Sequence, residues 1–189
     1  MIYPRILATE TKKLFTVEEY YKMAEAGIFR DARRTELING EIIEMTSMGS
    51  RHAAAISRAT NLLGRLFGDR TVLRPQLPAP LNEFNEPEPD IAFKPRKDSY
   101  STAHPEPSDT FLIMEISDTS LKYDRDVKLP IYAEAEIPEV WILDLTAENL
   151  LVYRDPARKS YKTTLRFSRG ESVSCLSFAE ISVKVQDLY

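Results

Sequence analysis

Hydrophobic residues recur at helical spacing in the stretch from Ser50 to Phe67. Ile56, Ala59 and Leu63 are three and four positions apart, which places them on one face of a helix. Gly68 follows directly, at a position where glycine commonly ends a helix. We therefore predict a long amphipathic helix that packs one face against a sheet. Three arginines lie off this face: Arg51, Arg58 and Arg65.

Capping and turn residues predict two earlier elements. Thr16 and Glu19 have the spacing of a capping box, so we predict a short helix over Phe15–Gly27. Asn39-Gly40 is the strongest short hairpin signal, and the residues around it within Arg34–Met45 are suited to strands. A β-hairpin is therefore expected just before the long helix.

The second half of the chain consists mainly of predicted strands. Phe111–Ile116 is almost continuously apolar, which is typical of a central strand buried on both faces. A helix is predicted over Asp124–Ala135, with Pro130 as the latest start of its regular part. Strand, helix and strand in succession imply a parallel pair, whereas hairpins imply antiparallel pairs, so the sheet should be mixed. Further short strands are predicted at 72–73, 90–93, 139–144, 150–153, 161–167 and 173–176.

Composition limits the class of protein. The chain has 189 residues, a length that fits one domain over 1–189. Hydrophobic residues make up 43% and aromatic residues 10%, too many for a disordered chain. Lys and Arg number 25 against 29 Asp and Glu, and the net charge of -4 excludes a polycation that coats nucleic acid. Any contact with nucleic acid must therefore use a local basic patch.

Cysteine content and hydropathy bear on location. The single cysteine, Cys175, excludes an intramolecular disulfide framework and a cysteine-built zinc site, and it fits a reducing compartment. No stretch approaches the ~20 apolar residues of a membrane-spanning helix. Residues 1–13 lack the hydrophobic segment of a secretory signal. We expect a cytoplasmic protein that does not associate with membranes.

Three charged residues suggest a common chemical role. Asp90 opens an extended run, Glu115 lies late in the apolar strand, and Lys128 lies near the start of the next helix. Burial of an unpaired carboxylate costs on the order of several kcal/mol, so Glu115 needs a partner. Mg²⁺ would serve, because it prefers oxygen ligands and commonly takes one or two carboxylates. A nearby lysine would then hold the attacking water and offset charge on a phosphate.

The same residues allow a structural interpretation. Acidic residues at strand ends are often solvated or paired with a basic side chain. Lys128 would then be an exposed helix lysine. Spacing alone does not decide between the two interpretations.

An ordered set of motifs runs from about Phe15 to Asp155. In chain order they are Thr35–Glu41 (TELINGE), His52, Pro87–Ile91 (PEPDI), Met114–Ser120 (MEISDTS), Tyr123-Asp124, Lys128, Tyr132-Ala133 and Ile137–Asp144 (IPEVWILD). Together they resemble the Uma-two (Uma2) family of restriction endonucleases, which belongs to the PD-(D/E)XK nuclease superfamily. The resemblance implies an α/β fold with a restriction endonuclease-like core, in which helices flank a mixed central β-sheet.

The resemblance also implies a metal site. Asp90 matches the aspartate of the PD half-motif and Glu115 the acidic residue of the second half-motif, so both would be metal ligands. The backbone carbonyl of Ile116 would be a third ligand, and the cofactor would be Mg²⁺ or Mn²⁺. Ser117 occupies the position at which the superfamily has lysine, and serine cannot supply a positive charge. In the family a lysine on the following helix replaces it, and Lys128 matches that position.

Three further residues have alternative roles. Glu36 matches an acidic residue that approaches the metal in many superfamily members; alternatively it forms a cross-strand salt bridge with a residue such as Arg34. His52 could contact phosphate or take part in proton transfer; alternatively it is a capping or surface histidine. Asp124 lies four residues before Lys128, so it would orient that lysine or cap the helix.

The leading hypothesis is a metal-dependent endonuclease that hydrolyses phosphodiester bonds of DNA and leaves a 5′-phosphate, as the resemblance implies. One alternative is a catalytically silent nucleic-acid-binding or assembly module of the same fold, suggested by Ser117. Another is a hydrolase of a smaller phosphate ester, which a closed pocket in place of an open basic cleft would favour. Eight basic residues could contact the DNA backbone: Arg33, Arg34, Arg51, Arg58, Lys94, Arg96, Lys97 and Arg125.

We also predict a homodimer. An enzyme with one metal site per chain cuts both strands of a duplex most directly when a two-fold axis places two sites on them. The aromatic pair Tyr20-Tyr21 and the strand-rich part Leu150–Tyr189 offer apolar groups for an interface. Alternatively, these aromatic residues belong to the core.

Overall fold

The computed structural model of the protein describes residues 11–30, 34–95, 100 and 105–189. Two longer helices precede the main sheet, and a further helical segment connects two of its central strands. The helices are α1 (Val17–Glu25), α2 (Ser50–Phe67), α3 (Leu121–Tyr123) and α4 (Leu129–Glu134). The strands are β1 (Thr35–Ile38), β2 (Glu41–Glu44), β3 (Val72–Pro75), β4 (Ile91–Lys94), β5 (Leu112–Ser117), β6 (Glu139–Asp144), β7 (Asn149–Ala157), β8 (Ser160–Ser168), β9 (Ser172–Cys175) and β10 (Phe178–Lys184).

A six-stranded sheet in the order β3-β4-β5-β6-β7-β8 forms the centre of the molecule. Strands β5 and β6 are parallel, and the other neighbouring pairs are antiparallel. The helical segment α3–α4 makes the crossover between β5 and β6, as parallel neighbours require. The predicted mixed α/β fold is therefore confirmed.

The two faces of this sheet carry separate cores. Helix α2 begins and ends where the sequence predicted, and its buried residues Ala59, Leu63 and Phe67 pack on one face. Tyr132 of α4 packs on the opposite face. Because side chains alternate along β5, Met114 and Ile116 face α2, and Ile113 faces α4. Glu115 follows the same alternation and lies on the α4 face.

Two hairpins are separate from the central sheet. Strands β1 and β2 form one, and β9 and β10 form the other. The sequence prediction did not separate them from the central sheet, and it missed β10. This strand alternates buried and exposed residues only in part, and its register with β9 shifts between Phe178 and Ser182.

The helical segment before Tyr132 begins earlier than predicted. It starts at Leu121 rather than at Asp124 or Pro130, and Asp124–Lys128 form a π-helical turn between α3 and α4. The N–H of Leu129 donates to the carbonyl of Asp124, five residues earlier. Pro130 has no N–H to donate within a helix, and it lies in the first turn of α4, where that N–H is not needed.

The β1–β2 hairpin holds the long loop that leads to Asp90. Asn39 and Gly40 have φ values of 51° and 73°, the left-handed pair that a type I′ turn requires. The N–H of Leu37 donates to the carbonyl of Glu86 at 3.3 Å, and the N–H of Glu86 donates back at 2.8 Å. These bonds bring β1 beside the loop between β3 and β4. Among the described residues, no helix has both the length and the apolar character to cross a membrane.

Candidate active site

Asp90 and Glu115 meet where β4 begins and β5 ends. The N–H of Ile116 donates to Asp90 Oδ2 at 2.8 Å, and the N–H of Asp90 donates to Glu115 Oε2 at 3.2 Å. The exposed fractions of the two residues are 8% for Asp90 and 2% for Glu115. Both line a cavity of about 510 Å³. Burial therefore contradicts the solvated interpretation of these carboxylates, whereas the alternative of a basic partner holds for Glu115, whose Oε1 lies 3.3 Å from Lys128 Nζ.

The carbonyl of Ile116 lies on the same side of β5 as Asp90. Its N–H points toward β4, and N–H and C=O of one strand residue point in the same direction. Continuation of the β4–β5 register beyond Ile91 and Met114 sets Pro89 opposite Ile116. Proline has no N–H, so Pro89 cannot donate to the Ile116 carbonyl.

His52 reaches Asp90 from the first turn of α2. Its Nε2 lies 3.0 Å from Asp90 Oδ2, and this hydrogen bond raises the pKa of His52 despite partial burial. The residue that caps α2 is Gly49, and His52 is half-buried, so neither a capping nor a fully exposed surface role describes it. His52 and the N–H of Ile116 thus share one oxygen of Asp90.

Lys128 is buried and extends toward Glu115 from the π-helical turn. Its Nζ lies 2.9 Å from Glu36 Oε1 and 3.3 Å from Glu115 Oε1. Burial alone would lower the pKa of Lys128, but the adjacent carboxylates of Glu115 and Glu36 outweigh it and raise the pKa. The amine is therefore a charged ammonium at neutral pH. The interpretation of Lys128 as an exposed helix lysine is wrong.

Glu36 contacts Lys128 instead of Arg34. Its Oε1 also accepts the N–H of Glu88 at 2.8 Å, and Arg34 Nε donates to the side chain of Glu88 at 2.8 Å. The predicted alternative of a cross-strand pair between Glu36 and Arg34 is therefore wrong. Within the described part of the chain, the buried Oε2 of Glu36 has no hydrogen-bond partner.

Ser117, at the position of the superfamily lysine, belongs to a polar network. Its Oγ donates to Asp124 Oδ2 at 2.7 Å, and Ser120 Oγ donates to the same oxygen at 2.7 Å. Burial raises the pKa of Asp124, whereas Lys128 lowers it. Asp124 lies inside the helical segment, as the first residue of the π-helical turn, so it is not an N-cap.

Tyr132 is a site residue to which the sequence analysis gave no role. Its hydroxyl donates to Glu115 Oε1 at 2.5 Å, and its side chain is fully buried. Burial raises the pKa of Tyr132, which therefore stays protonated and able to donate. Tyr132 follows Lys128 by four residues, and this spacing on one helix face was the signal that could have found it.

The cavity wall carries more carboxylates than cations. Burial raises the pKa of Glu115, and Asp124 and Asp90 add to the effect while Lys128 opposes it. A hard divalent cation suits such a donor set, because carboxylate and carbonyl oxygens are the protein ligands that Mg²⁺ prefers. The charged residues of the wall are Arg34, Glu88, Asp90, Glu115, Asp118, Asp124 and Lys128.

The side chains would form only part of a coordination shell. Across the described residues, no three His, Cys, Asp or Glu side chains are placed to hold one ion. Two carboxylates and a carbonyl, with water at the remaining positions, nevertheless match the way Mg²⁺ is usually bound. The residues present therefore fit this cation.

The predicted DNA-contacting residues have different surroundings. Arg34 and Arg125 are in ion pairs, and Arg51 contacts both Asp118 and the carbonyl of Leu145. Lys94 is 2% exposed and donates to the carbonyl of Glu106 and to Thr110, so its predicted contact with DNA is wrong. Arg58 is exposed on α2. The other three, Arg33, Arg96 and Lys97, lie outside the described residues.

Comparison with known proteins agrees with this fold. A crystal structure described as that of "a putative nuclease belonging to DUF820", from Anabaena variabilis ATCC 29413, is similar with a TM-score of 0.68. The two chains are 18% identical, and the match covers 92% of this chain and 97% of that one, a likeness that shows the fold. No curated protein is significantly similar. The model of the Uma2 family, described as "Putative restriction endonuclease", matches residues 17–186. The chain therefore belongs to the Uma2 family.

Proposed function

We propose that this protein is a metal-dependent endonuclease that hydrolyses phosphodiester bonds of DNA. One observation carries the proposal: Asp90, Glu115 and Lys128 come from three distant segments and form one buried cluster at the wall of a cavity. The family to which the chain belongs supports the same reaction class.

Asp90, Glu115 and the carbonyl of Ile116 would hold Mg²⁺ or Mn²⁺ in this proposal. The bound cation would lower the pKa of a water and polarise a phosphoryl oxygen. Asp90 Oδ2 already contacts His52 Nε2 and accepts the N–H of Ile116. Asp90 Oδ1 would therefore be the oxygen that binds the cation. Tyr132 and Lys128 both contact Glu115 Oε1, whereas Oε2 accepts, among the described residues, only the N–H of Asp90 at 3.2 Å and would be the Glu115 oxygen that binds the cation.

Lys128 takes the role of the lysine that Ser117 replaces. Its ammonium holds the attacking water and stabilises the negative charge that develops on the phosphate. Glu36 accepts a hydrogen bond from this ammonium and is positioned in turn by the N–H of Glu88. Glu36 thus orients Lys128 and does not bind the metal in this proposal.

Cleavage of supercoiled plasmid tests the proposal. Wild-type protein should nick or linearise the plasmid with Mg²⁺ or Mn²⁺ and should be inactive with chelator. Asp90→Asn, which keeps the shape of the side chain, should abolish cleavage. Asp126→Asn is the matched control, because Asp126 is exposed and pairs with Arg125. Absence of metal-dependent cleavage by the wild type, or full activity of Asp90→Asn, would contradict the proposal.

A second candidate function is favoured by the cavity itself. A volume of about 510 Å³ lies in the usual range for small-molecule sites, and carboxylates predominate on its wall. Both properties suit a small phosphate ester better than a polyanionic duplex. Metal-dependent hydrolysis of p-nitrophenyl phosphate, with no cleavage of plasmid, would favour this candidate over the endonuclease.

We also propose that the protein acts as a homodimer, so that two sites cut the two strands. Exposed apolar side chains in the C-terminal third support an interface, since Leu165 is 37% and Leu176 49% exposed. Light scattering at micromolar concentration should give about twice the chain mass of 21.6 kDa. A mass equal to that of one chain would contradict the dimer.

A further inference from the structure

Helix α2 is free of acidic residues although the protein as a whole is acidic. Its 18 residues contain three arginines, one histidine and no Asp or Glu, whereas the chain has 29 acidic residues. Arg51, Arg58 and Arg65 recur every seven residues, and this spacing places them along one side of a helix. We call these three residues the arginine stripe of α2.

Within the described ranges, Arg58 and Arg65 lack the ion pairs that several other arginines of the protein form. Arg34, Arg70 and Arg154, for example, each contact a carboxylate. Neither Arg58 nor Arg65 has a carboxylate partner among the residues that the structure describes. Both are exposed, and an exposed cation without an internal partner is available to an external anion.

The surface around the stripe leaves room for a large partner. The other exposed residues of α2 after its first turn have short side chains, so the two guanidinium groups extend beyond them into solvent. These residues are Ala54, Ser57, Asn61 and Gly64. A flat, extended anion can therefore approach both arginines at once.

The stripe begins at the candidate active site. Gly49 and His52, at the start of α2, line the cavity, and Arg51 contacts Asp118 on its wall. At 1.5 Å per residue, Arg65 lies roughly 21 Å further along the helix than Arg51. The cavity wall is mainly acidic, whereas the arginine stripe places positive charge on the surface of α2 that extends away from the cavity.

We propose that Arg58 and Arg65 bind the phosphate backbone of a DNA duplex whose scissile phosphate lies in the cavity. The inference rests on the proposed endonuclease function and names the surface that holds its substrate. The two arginines are roughly 10 Å apart along the helix, close to three steps of 3.4 Å along one DNA strand. A small phosphate ester would not reach either of them.

Salt-dependent binding tests the inference. The probe is a fluorescent 30-base-pair duplex, with anisotropy measured in chelator from 50 to 200 mM NaCl and a gel to verify that the probe is intact. The double variant Arg58→Gln/Arg65→Gln should bind more weakly than wild type. The slope of log affinity against log salt should fall by about 1.8, since each lost phosphate contact contributes about 0.9.

The control is Lys162→Gln/Arg166→Gln, which makes the same change of net charge. Both residues are exposed on β8, which is one edge strand of the central sheet. Asp90 lies near the other edge, directly before β4. This variant should keep the wild-type slope. An unchanged slope for the α2 variant, an equal loss in both variants, or no binding of duplex by the wild type would each overturn the inference.

The plasmid assay separates this inference from the proposed function. Duplex binding that depends on Arg58 and Arg65, together with absent cleavage, would refute only the endonuclease and would indicate a silent DNA-binding module. If the α2 variant cleaves plasmid as well as wild type does, the proposed binding of DNA by Arg58 and Arg65 is refuted and the proposed endonuclease function is not. Circular dichroism should show both double variants folded, because the four substituted side chains are exposed.

Discussion

Glu115 and Glu139 are buried glutamates in adjacent, apolar strands of one sheet, yet their surroundings differ. Glu139 Oε1 accepts hydrogen bonds from Trp141 and Arg154 at 2.9 Å, and its Oε2 accepts the N–H of Leu176 at 2.7 Å. One carboxylate is thus balanced by one guanidinium. Glu115 shares a single ammonium, Lys128, with Glu36 and is close enough to Asp90 and Asp124 for their charges to raise its pKa.

Charge balance, more than burial, distinguishes the two sites. The Glu139 cluster is neutral and has a donor for each oxygen, as expected of a structural ion pair. The Glu115 cluster has an excess of negative charge beside a cavity, and such an arrangement is stable only with added protons or with an external cation. Buried carboxylates that lack enough internal cations are therefore the better indicator of a functional site.

Among variants that keep both proposed metal ligands, removal of Lys128 should have the largest effect on activity. Lys128→Ala should lower plasmid cleavage by at least ~10²-fold, the scale of losing a positioned electrostatic or proton-transfer group. Binding of Mn²⁺, followed by calorimetry, should be largely retained because the proposed ligands remain. Lys122→Ala, at an exposed lysine of the same helical segment, is the control. Equal activity of Lys128→Ala would show that the lysine role is wrongly assigned.

Neutralisation of the two glutamates should change stability in opposite directions. Glu139→Gln leaves Arg154 without its carboxylate and should lower the free energy of unfolding by about 3 kcal/mol. Glu115→Gln removes a carboxylate whose ionisation is unfavourable in the folded protein, and should raise the free energy of unfolding by about 1 kcal/mol at pH 7. Urea denaturation measures both changes. Similar losses in the two variants would refute the distinction between the clusters.

Tyr132 should matter for metal affinity more than for folding. Tyr132→Phe removes the hydroxyl that holds Glu115 Oε1 in place, so Glu115 should bind the metal more weakly. The Mg²⁺ concentration that gives half-maximal cleavage should therefore rise by about 10-fold. Tyr161→Phe is the matched control. Tyr161 lies on β8, and its hydroxyl donates to the carbonyl of Ile137 at 2.8 Å rather than to a carboxylate. The same Mg²⁺ requirement in both variants would assign Tyr132 a purely structural role.

Neutralisation of Glu86, another buried carboxylate, should have the smallest effect. Burial raises its pKa, while a hydrogen bond from Tyr21 at 3.1 Å lowers it. Because the pKa is higher in the folded than in the unfolded protein, Glu86 reduces stability as the pH rises above about 4.5. Glu86→Gln should therefore match wild type near pH 4 and gain less than about 1 kcal/mol by pH 7. A gain that does not depend on pH in thermal melts would contradict this origin.

Local patterns were enough to predict much of the fold. The apolar spacing of α2 and the glycine that follows it gave both ends of the helix, and Asn39-Gly40 gave the β1–β2 hairpin. The ion-pair partner of Glu139 could also have been predicted from the sequence, because Arg154 lies directly opposite Glu139 in the β6–β7 hairpin. These features depend on residues that are close in sequence.

The partners within the site depend on contacts across the chain. Lys128 meets Glu36 across 92 positions, and no local pattern indicates that the lysine is buried. The residues named from the family resemblance lie together in the structure, but the contacts of Glu36 with Lys128 and of His52 with Asp90 arise only from packing. The π-helical turn likewise depends on tertiary context, since Pro130 alone is compatible with several helix starts.

Because of the π-helical turn, the number of residues between β5 and α4 determines whether Asp124 and Lys128 both face the cavity. A π-helical turn contains one residue more than the α-helical turn it replaces, and each residue of an α-helix rotates the next side chain by about 100°. Deletion of Val127 would therefore restore a regular helix and point either Asp124 or Lys128 away from the cavity. Substitutions at Val127 keep this phase. In this segment the protein should tolerate a change of side chain more readily than a change of length.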